Sequence, residues 1–331
     1  MRRHALLPLL LLLVLTSPAG CTDKNPAHAP VPAGPYKKDA GPHAVQVHLF
    51  DWTDAGRNRL VPVKIYLPEG KGPFPVIIFS HGLGGSREGY EYLGRHWASH
   101  GYVSVHPQHL GSDEAIFQGA TGDLRDAMGL ANAVARLVDV RFVLDRLERA
   151  NREAGPLQGK LDLHRAGMAG HSYGSWTTLA VSGQSVPGEG TRLADPRIRA
   201  AIALSPSLMA IAKAHPEETY GTIRIPILHM TGTLDDSPVG PFPKAADRRI
   251  PFDHIRGGGQ YLVTFEGGDH MVFAGYDAAP GSREALFHDL ILEGTTAFWD
   301  AYLKDDVAAK RWLAEGGFAA ALGAAGKLER K

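Results

Sequence analysis

Gly170-His171-Ser172-Tyr173-Gly174 is a stretch whose residue types and spacing point to covalent chemistry. The apolar run Arg165-Ala166-Gly167-Met168-Ala169 precedes it, and a helix-compatible run over residues 175–181 follows. A serine hydroxyl is a poor nucleophile at neutral pH. It becomes a good one when a base takes its proton and a carboxylate orients the base. A strand–turn–helix setting with glycine on both sides of the serine lets the turn close and lift the hydroxyl above a sheet. Ser172 is therefore the candidate nucleophile. His270, in Gly267-Gly268-Asp269-His270-Met271, lies between the last apolar run and the final long helical pattern and is the candidate general base. Asp235 and Asp236 both follow the apolar run at 225–231, and only one of two adjacent side chains can face the histidine. Asp269, beside His270, is expected to be a turn residue for the same reason.

Attack on a carbonyl creates an oxyanion, which needs fixed donors. The residue after the nucleophile, Tyr173, is expected to give its backbone N–H. The second donor is expected from His81-Gly82-Leu83-Gly84-Gly85, at the end of an apolar strand, through the backbone N–H of Leu83. Both donors are main-chain, so the side chains of Leu83 and Tyr173 are free to line a pocket. His81 and His171 are expected to pack and hydrogen-bond rather than react. His106, His109 and Asp113 form a His-x-x-His-type loop without the helical His-Glu-x-x-His spacing of a zinc site. No metal is expected there, and the loop is expected to shape the cleft.

The elements that must position these groups can be read from periodicity. Val45, Val47 and Leu49 alternate with polar residues, as do Val61, Val63, Ile65 and Leu67, where Pro62 argues for a place near an edge. Pro75-Val76-Ile77-Ile78-Phe79-Ser80 is continuously apolar, as in a strand buried on both faces. Helices are expected over about 88–99, 126–151 and 284–303. Further strands are expected at 102–106, 199–204, 225–231 and, last, 260–265. Leu130, Val134, Leu137, Val138, Leu144 and Leu147 form one stripe of the second helix, and Leu286, Leu290, Phe298 and Tyr302 are suited to packing on the third. Strands alternating with helices give a mostly parallel central sheet with helices on both faces. Ligands in such sheets bind beyond the carboxyl ends of the strands, where every candidate above lies.

The 331 residues carry 35 Lys and Arg against 35 Asp and Glu, so nothing argues for nucleic acid as a partner. The apolar content of 44% supports a sizeable core. Met1-Arg2-Arg3-His4 and the leucine-rich residues 6–15 read as a signal peptide over 1–20. Ala19-Gly20-Cys21 resembles the end of a bacterial lipobox, which implies cleavage before Cys21 and its lipidation. Thr22 stands where the inner-membrane retention signal has aspartate. Export to a cell envelope with membrane attachment through Cys21, in an outer-membrane or periplasm-facing place, is the expectation, with simple secretion as the alternative. Residues 21–43, rich in Pro, Ala, Lys and Gly, read as a flexible tether, residues 44–304 as the folded domain, and 305–331 as a tail with a short helix near Trp312 and Phe318.

Phe79-Ser80-His81-Gly82-Leu83-Gly84-Gly85, Ala98-Ser99-His100-Gly101-Tyr102 and Gly170-His171-Ser172-Tyr173-Gly174 together resemble bacterial predicted dienelactone hydrolases, platelet-activating-factor acetylhydrolases and related polyester hydrolases and cutinases. The resemblance covers roughly residues 61–303. It implies an α/β-hydrolase fold and a cofactor-free serine carboxylesterase acting on small or lipid-like esters, with short-chain acyl groups as the default. It also favours Asp235 as the acid, since Gly-Thr-x-Asp after this strand is similar to the family's acid turn; Asp236 is the runner-up. Dienelactone hydrolases proper use cysteine where Ser172 stands. The mammalian acetylhydrolases place the acid after the strand that here ends Ala203-Leu204-Ser205-Pro206-Ser207, without a carboxylate. Two other readings are a catalytically silent binding lipoprotein and a peptidase or amidase, both on the same fold.

Overall fold

The computed structural model describes residues 34–117, 124–240, 243–276 and 278–331. The expected signal peptide and the expected lipidation site, Cys21, lie outside the described residues. A hairpin of β1 (Val45–Asp54) and β2 (Arg59–Pro68) opens the fold, followed by β3 (Phe74–Ser80), α1 (Glu91–Ser99) and β4 (Val103–Pro107). α2 (Leu124–Ala127) and α3 (Leu130–Ala150) lead to β5 (Leu161–His171) and α4 (Tyr173–Val181). β6 (Ile198–Leu204), α5 (Ala210–Ala214), α6 (Pro216–Tyr220), β7 (Ile227–Leu234), α7 (Ile250–His254) and β8 (Gln260–Asp269) come next. The chain closes with α8 (Arg283–Leu303), α9 (Val307–Ala314), α10 (Gly317–Leu322) and β9 (Gly326–Arg330).

One nine-stranded sheet has the order β1-β2-β4-β3-β5-β6-β7-β8-β9. The strands from β4 to β8 are parallel, and β1-β2 and β9 add antiparallel edges. This is the α/β-hydrolase fold. β3 shows why a continuous apolar run is needed at its centre. Ile77 and Phe79 pack with Leu93 and Trp97 of α1 and Trp299 of α8, while Val76 and Ile78 pack with Leu137, Val140 and Leu144 of α3. Both faces are covered, so alternation disappears. Pro62 is tolerated in β2, second from the edge, because β4 pairs with β2 only over Val63–Tyr66.

α3 buries Ala133, Leu137, Val140, Leu144 and Leu147 at helical spacing, and Arg136 and Asp139 are buried with them. The expected long helix divides at Gly129, which ends α2 and caps α3 with an extended backbone. Leu130 and Leu286, expected in apolar stripes, are instead exposed in the first turns of α3 and α8.

Both ends of the folded part differ from the sequence reading. Residues 34–43, assigned to the tether, are mostly exposed but are tied to the domain by hydrogen bonds. The Tyr36 amide and hydroxyl donate to Glu293 and Asp300 of α8, each at 2.9 Å, and Gly41 N donates to Ser99 Oγ at 2.8 Å. Local composition cannot register acids some 250 residues away. The tail contributes α9, α10 and a strand that the sequence reading lacks: β9 pairs antiparallel with β8, with Leu328 opposite Val263. Its sequence, GKLER, has one apolar residue, so backbone pairing and not patterning places it. Phe318 is fully buried and stacks on Trp312 at 5.0 Å. Phe318→Ala is expected to lower stability by about 3–5 kcal/mol, read as a lower urea midpoint. A change within experimental error would show that the tail does not belong to the core.

Candidate active site

Ser172 sits between β5 and α4 with φ 55° and ψ −119°, a left-handed conformation costly for a residue with a side chain. Neighbouring hydrogen bonds hold it there. Ser172 N donates to Leu204 O at 3.0 Å, and Ser172 O accepts from Ser175 N at 2.9 Å and Ser175 Oγ at 2.6 Å. A Cβ on Gly170 would overlap the Gly174 carbonyl, and one on Gly174 would overlap the carbonyl of Ser80 at the end of β3. Close backbone approach, rather than turn geometry alone, is what requires glycine at these two places.

The structure brings Ser172, His270 and Asp235 together. Ser172 Oγ lies 3.0 Å from His270 Nε2, and His270 Nδ1 lies 2.8 Å from Asp235 Oδ1. Asp236 faces outward and bonds Lys244 Nζ and the Ala245 amide, each at 2.9 Å. Asp269 caps the turn that carries His270, accepting from Met271 N at 2.8 Å. Geometry thus separates the three nearby carboxylates into one that meets the imidazole and two that serve the backbone or solvent. With Nδ1–H donated to Asp235, Nε2 is left as the acceptor for the serine proton, the tautomer a general base needs.

Three residues beside this relay carry no motif and escape sequence reasoning. Ser205, at the end of β6, has φ 50° and is fully buried. Its hydroxyl donates to Asp235 Oδ1 at 2.8 Å and lies 2.8 Å from His270 Nδ1. Thr231 Oγ1 donates to the other carboxylate oxygen at 2.8 Å. Arg248 is also buried, with Nε 3.1 Å from Asp235 Oδ1 and hydrogen bonds to the carbonyls of Asp235, Ser205 and Pro206. Burial lowers its pKa although Asp235 pulls the other way. Asp235 is therefore a buried anion whose charge is met by a cation and several donors, the condition under which such a group stays in place. In sequence, Arg248 stands beside Arg249 with nothing to distinguish them.

The loop after β3 passes over the serine: a Cβ on Gly82 would stand 3.5 Å from Ser172 Cβ. This brings the loop that carries Leu83 against Ser172, and Tyr173, the first residue of α4, follows the serine directly. Tyr173 does not line the pocket with its side chain as expected. Its ring is buried, with the Arg136 guanidinium carbon 4.5 Å from its centroid. A buried cation draws the ring inward. The cleft above Ser172 has a volume of about 380 Å³, lined among others by Leu83, Tyr90, Phe117, Val239, Met271 and Tyr276. A more open depression of about 850 Å³, lined by residues of the 35–42 segment and His100, holds none of the reactive groups.

His81 and His171 hold loops in place. His81 Nε2 accepts from the His109 amide at 3.0 Å, and its Nδ1 lies 2.6 Å from Gly82 O. His171 lies between Tyr90 OH at 2.7 Å and the His270 carbonyl at 3.0 Å, so it joins the elbow to the backbone of the base. Burial, then neighbouring positive groups, pushes both well below the usual histidine range and keeps them neutral. His106 stacks on Phe79 and bonds Ser104 Oγ at 3.0 Å. His109 bridges Ser80 Oγ at 3.0 Å and Asp139 Oδ2 at 3.1 Å, and Asp113 accepts from Gln108 Nε2 at 2.7 Å. Among the described residues, no group of three or more His, Cys, Asp or Glu is arranged to hold a metal ion.

A family model described as chlorophyllase matches residues 38–206, just over half of the chain. That stretch contains Ser172 and the Leu83 loop but neither Asp235 nor His270. Chlorophyllase-1 of Citrus sinensis is 31% identical over 121 residues, which is 37% of this chain and 32% of the relative. A platelet-activating factor acetylhydrolase of Cavia porcellus is 24% identical over 299 residues, 76% of this chain and 63% of the relative. The cutinase cut1 of Thermobifida fusca is 25% identical over 218 residues, 63% of this chain and 56% of the relative. The chain thus spans from about a third to just under two thirds of the length of these curated relatives. The family model and these relatives point to carboxylic ester hydrolysis. Asp235→Asn is expected to lower the rate of ester hydrolysis about 10⁴-fold, and Asp236→Asn to leave it unchanged. Equal losses in the two variants would contradict the division of roles read from their contacts.

Proposed function

The chain belongs to the chlorophyllase family, and on that premise we propose that it is a serine hydrolase that cleaves carboxylic esters through an acyl-enzyme. The observation that carries this reading is the unbroken contact from Ser172 Oγ through His270 to Asp235. Ser172 attacks the ester carbonyl while His270 Nε2 takes the hydroxyl proton. The tetrahedral oxyanion lies between the amides of Leu83 and Tyr173. His270 then gives the proton to the departing alcohol oxygen, and the C–O bond breaks. A water molecule, deprotonated by the same nitrogen, attacks the acyl-serine and releases the acid, returning the proton to Ser172. Asp235 holds the imidazole in the required tautomer and stabilises its cationic form.

The substrate class is an ester with an apolar part and a short acyl group. Phe117, Met271 and Tyr276 at the cleft are exposed and apolar, which suits contact with a hydrophobic alcohol or acyl portion. A series of p-nitrophenyl esters from acetyl to long acyl tests this reading. The expected outcome is hydrolysis that falls with acyl length and is lost in Ser172→Ala while the fold is kept. Full activity in that variant would overturn the assignment. No hydrolysis of any member by the folded protein would favour a silent binding scaffold.

Export and attachment to a membrane through a lipidated Cys21 complete the proposal. Each buried acyl CH₂ contributes about 0.8 kcal/mol, so a multiply acylated cysteine holds a protein firmly. In a bacterial host with lipoprotein processing, the full chain is expected in the membrane fraction and Cys21→Ala in the soluble fraction. Equal partitioning of the two would refute the anchor.

A further inference from the structure

Arg136 lies on the apolar face of α3, between Ala133 and Leu137, and is fully buried. Four of its N–H donations go to neutral oxygens. Nε donates to Thr177 Oγ1 at 3.0 Å, Nη1 to Ser112 Oγ at 2.9 Å, and Nη2 to Ser80 Oγ at 2.9 Å and to the His81 carbonyl. Its guanidinium also covers the Tyr173 ring. Asp139, one turn on, is occupied by Arg57, Arg59 and His109. Burial lowers the pKa of Arg136 to about 10, so it remains a cation at neutral pH. A buried charge of this kind adds little to stability compared with a well-packed apolar side chain, so its presence calls for another account.

Its partners supply that account, because they belong to the three segments that frame the proposed oxyanion site. Ser80 and His81 begin the loop that carries Leu83. Tyr173 and Thr177 lie in the first turns of α4, and the amide of Tyr173 is the other donor. Ser112 belongs to the loop whose carbonyl accepts from Gly84 N at 2.9 Å, beside a second bond from Glu114 N to Gly85 O at 3.0 Å. The guanidinium is planar and rigid, so its bonds fix separations that flexible side chains would leave free.

We propose that Arg136 is a positioning residue for ester hydrolysis: it sets the separation of the Leu83 and Tyr173 amides and places a buried positive charge behind them. Its contribution therefore falls on the oxyanionic transition state and not on substrate binding. This rests on the serine-hydrolase reading above. The test compares wild type, Arg136→Met and Arg136→Lys on a short-chain p-nitrophenyl ester, with thermal melts to confirm folding. It also compares inhibition by an alkyl boronic acid, whose serine adduct is a tetrahedral anion, with inhibition by a neutral ketone of the same length.

The expected result for Arg136→Met is a loss of about 100-fold in kcat with little change in KM, on the scale of losing one oxyanion donor. Boronate affinity should fall by a similar factor while ketone affinity holds. Arg136→Lys, which keeps the charge and loses the planar fork, should recover part of kcat. An unchanged kcat in folded Arg136→Met, or equal losses for boronate and ketone, would overturn the proposal. If Arg136→Met fails to fold, Ser112→Ala combined with Thr177→Val removes two of the bonds and should lower kcat about 10-fold by the same argument; an unchanged kcat there overturns it as well. Lack of any hydrolysis by wild type would count against the serine-hydrolase reading itself, a result separate from the others.

Discussion

The closeness of α4 to the end of β3 is the constraint on which the site depends. Only a residue without Cβ lets the backbone at Gly174 meet the Ser80 carbonyl, and only glycine at 170 lets β5 turn back under it. That approach brings the loop after β3 and the start of α4 close to Ser172. The serine itself has a left-handed backbone, and the bonds from Ser172 N to Leu204 O and from Ser175 to Ser172 O offset part of that strain. The sheet supplies the rest. His270 and Asp235 arrive at neighbouring strand ends because β7 and β8 are paired in parallel next to β6.

Buried charge is the second theme. On the acid–base side, Arg248 stands against Asp235 and its neighbouring carbonyls. On the side of the proposed oxyanion donors, Arg136 bonds the His81 carbonyl and covers the Tyr173 ring. Between them, neutral histidines join backbone segments. His171 reaches the carbonyl of His270, and His81 receives the amide of His109. Both guanidinium groups and both of these histidines have hydrogen-bond partners, as a low-dielectric site requires if its geometry is to survive. The division is physically reasonable. The acid must remain an anion to serve the imidazole, whereas the oxyanion side must stay short of negative charge until the reaction supplies it.

The sequence made much of this legible because the chemistry depends on local patterns. The Gly-x-Ser-x-Gly turn, the glycine-rich loop after an apolar strand, and a histidine before the last long helix are all local. The choice between Asp235 and Asp236 was not. Asp235 lies inside the fold against His270 while Asp236 faces Lys244, and the sequence favours Asp235 only through resemblance. Arg248 and Ser205 had no signal, since their roles come from contacts across dozens of residues. Arg136 and Asp139 did leave one: charges set in the buried stripe of α3. At the ends, weak patterning misled. Residues 34–43 look like linker and yet dock on α8, and β9 joins the sheet through its backbone with a single apolar side chain.

The central claim is that Ser172 is an activated nucleophile. The most direct measurement is reaction of the folded protein with a fluorophosphonate, followed by intact mass and peptide mapping. A single adduct on Ser172, formed rapidly and absent from Ser172→Ala and from heat-unfolded protein, is the predicted result. No adduct, or an adduct on another serine that forms equally well in Ser172→Ala, would contradict the account.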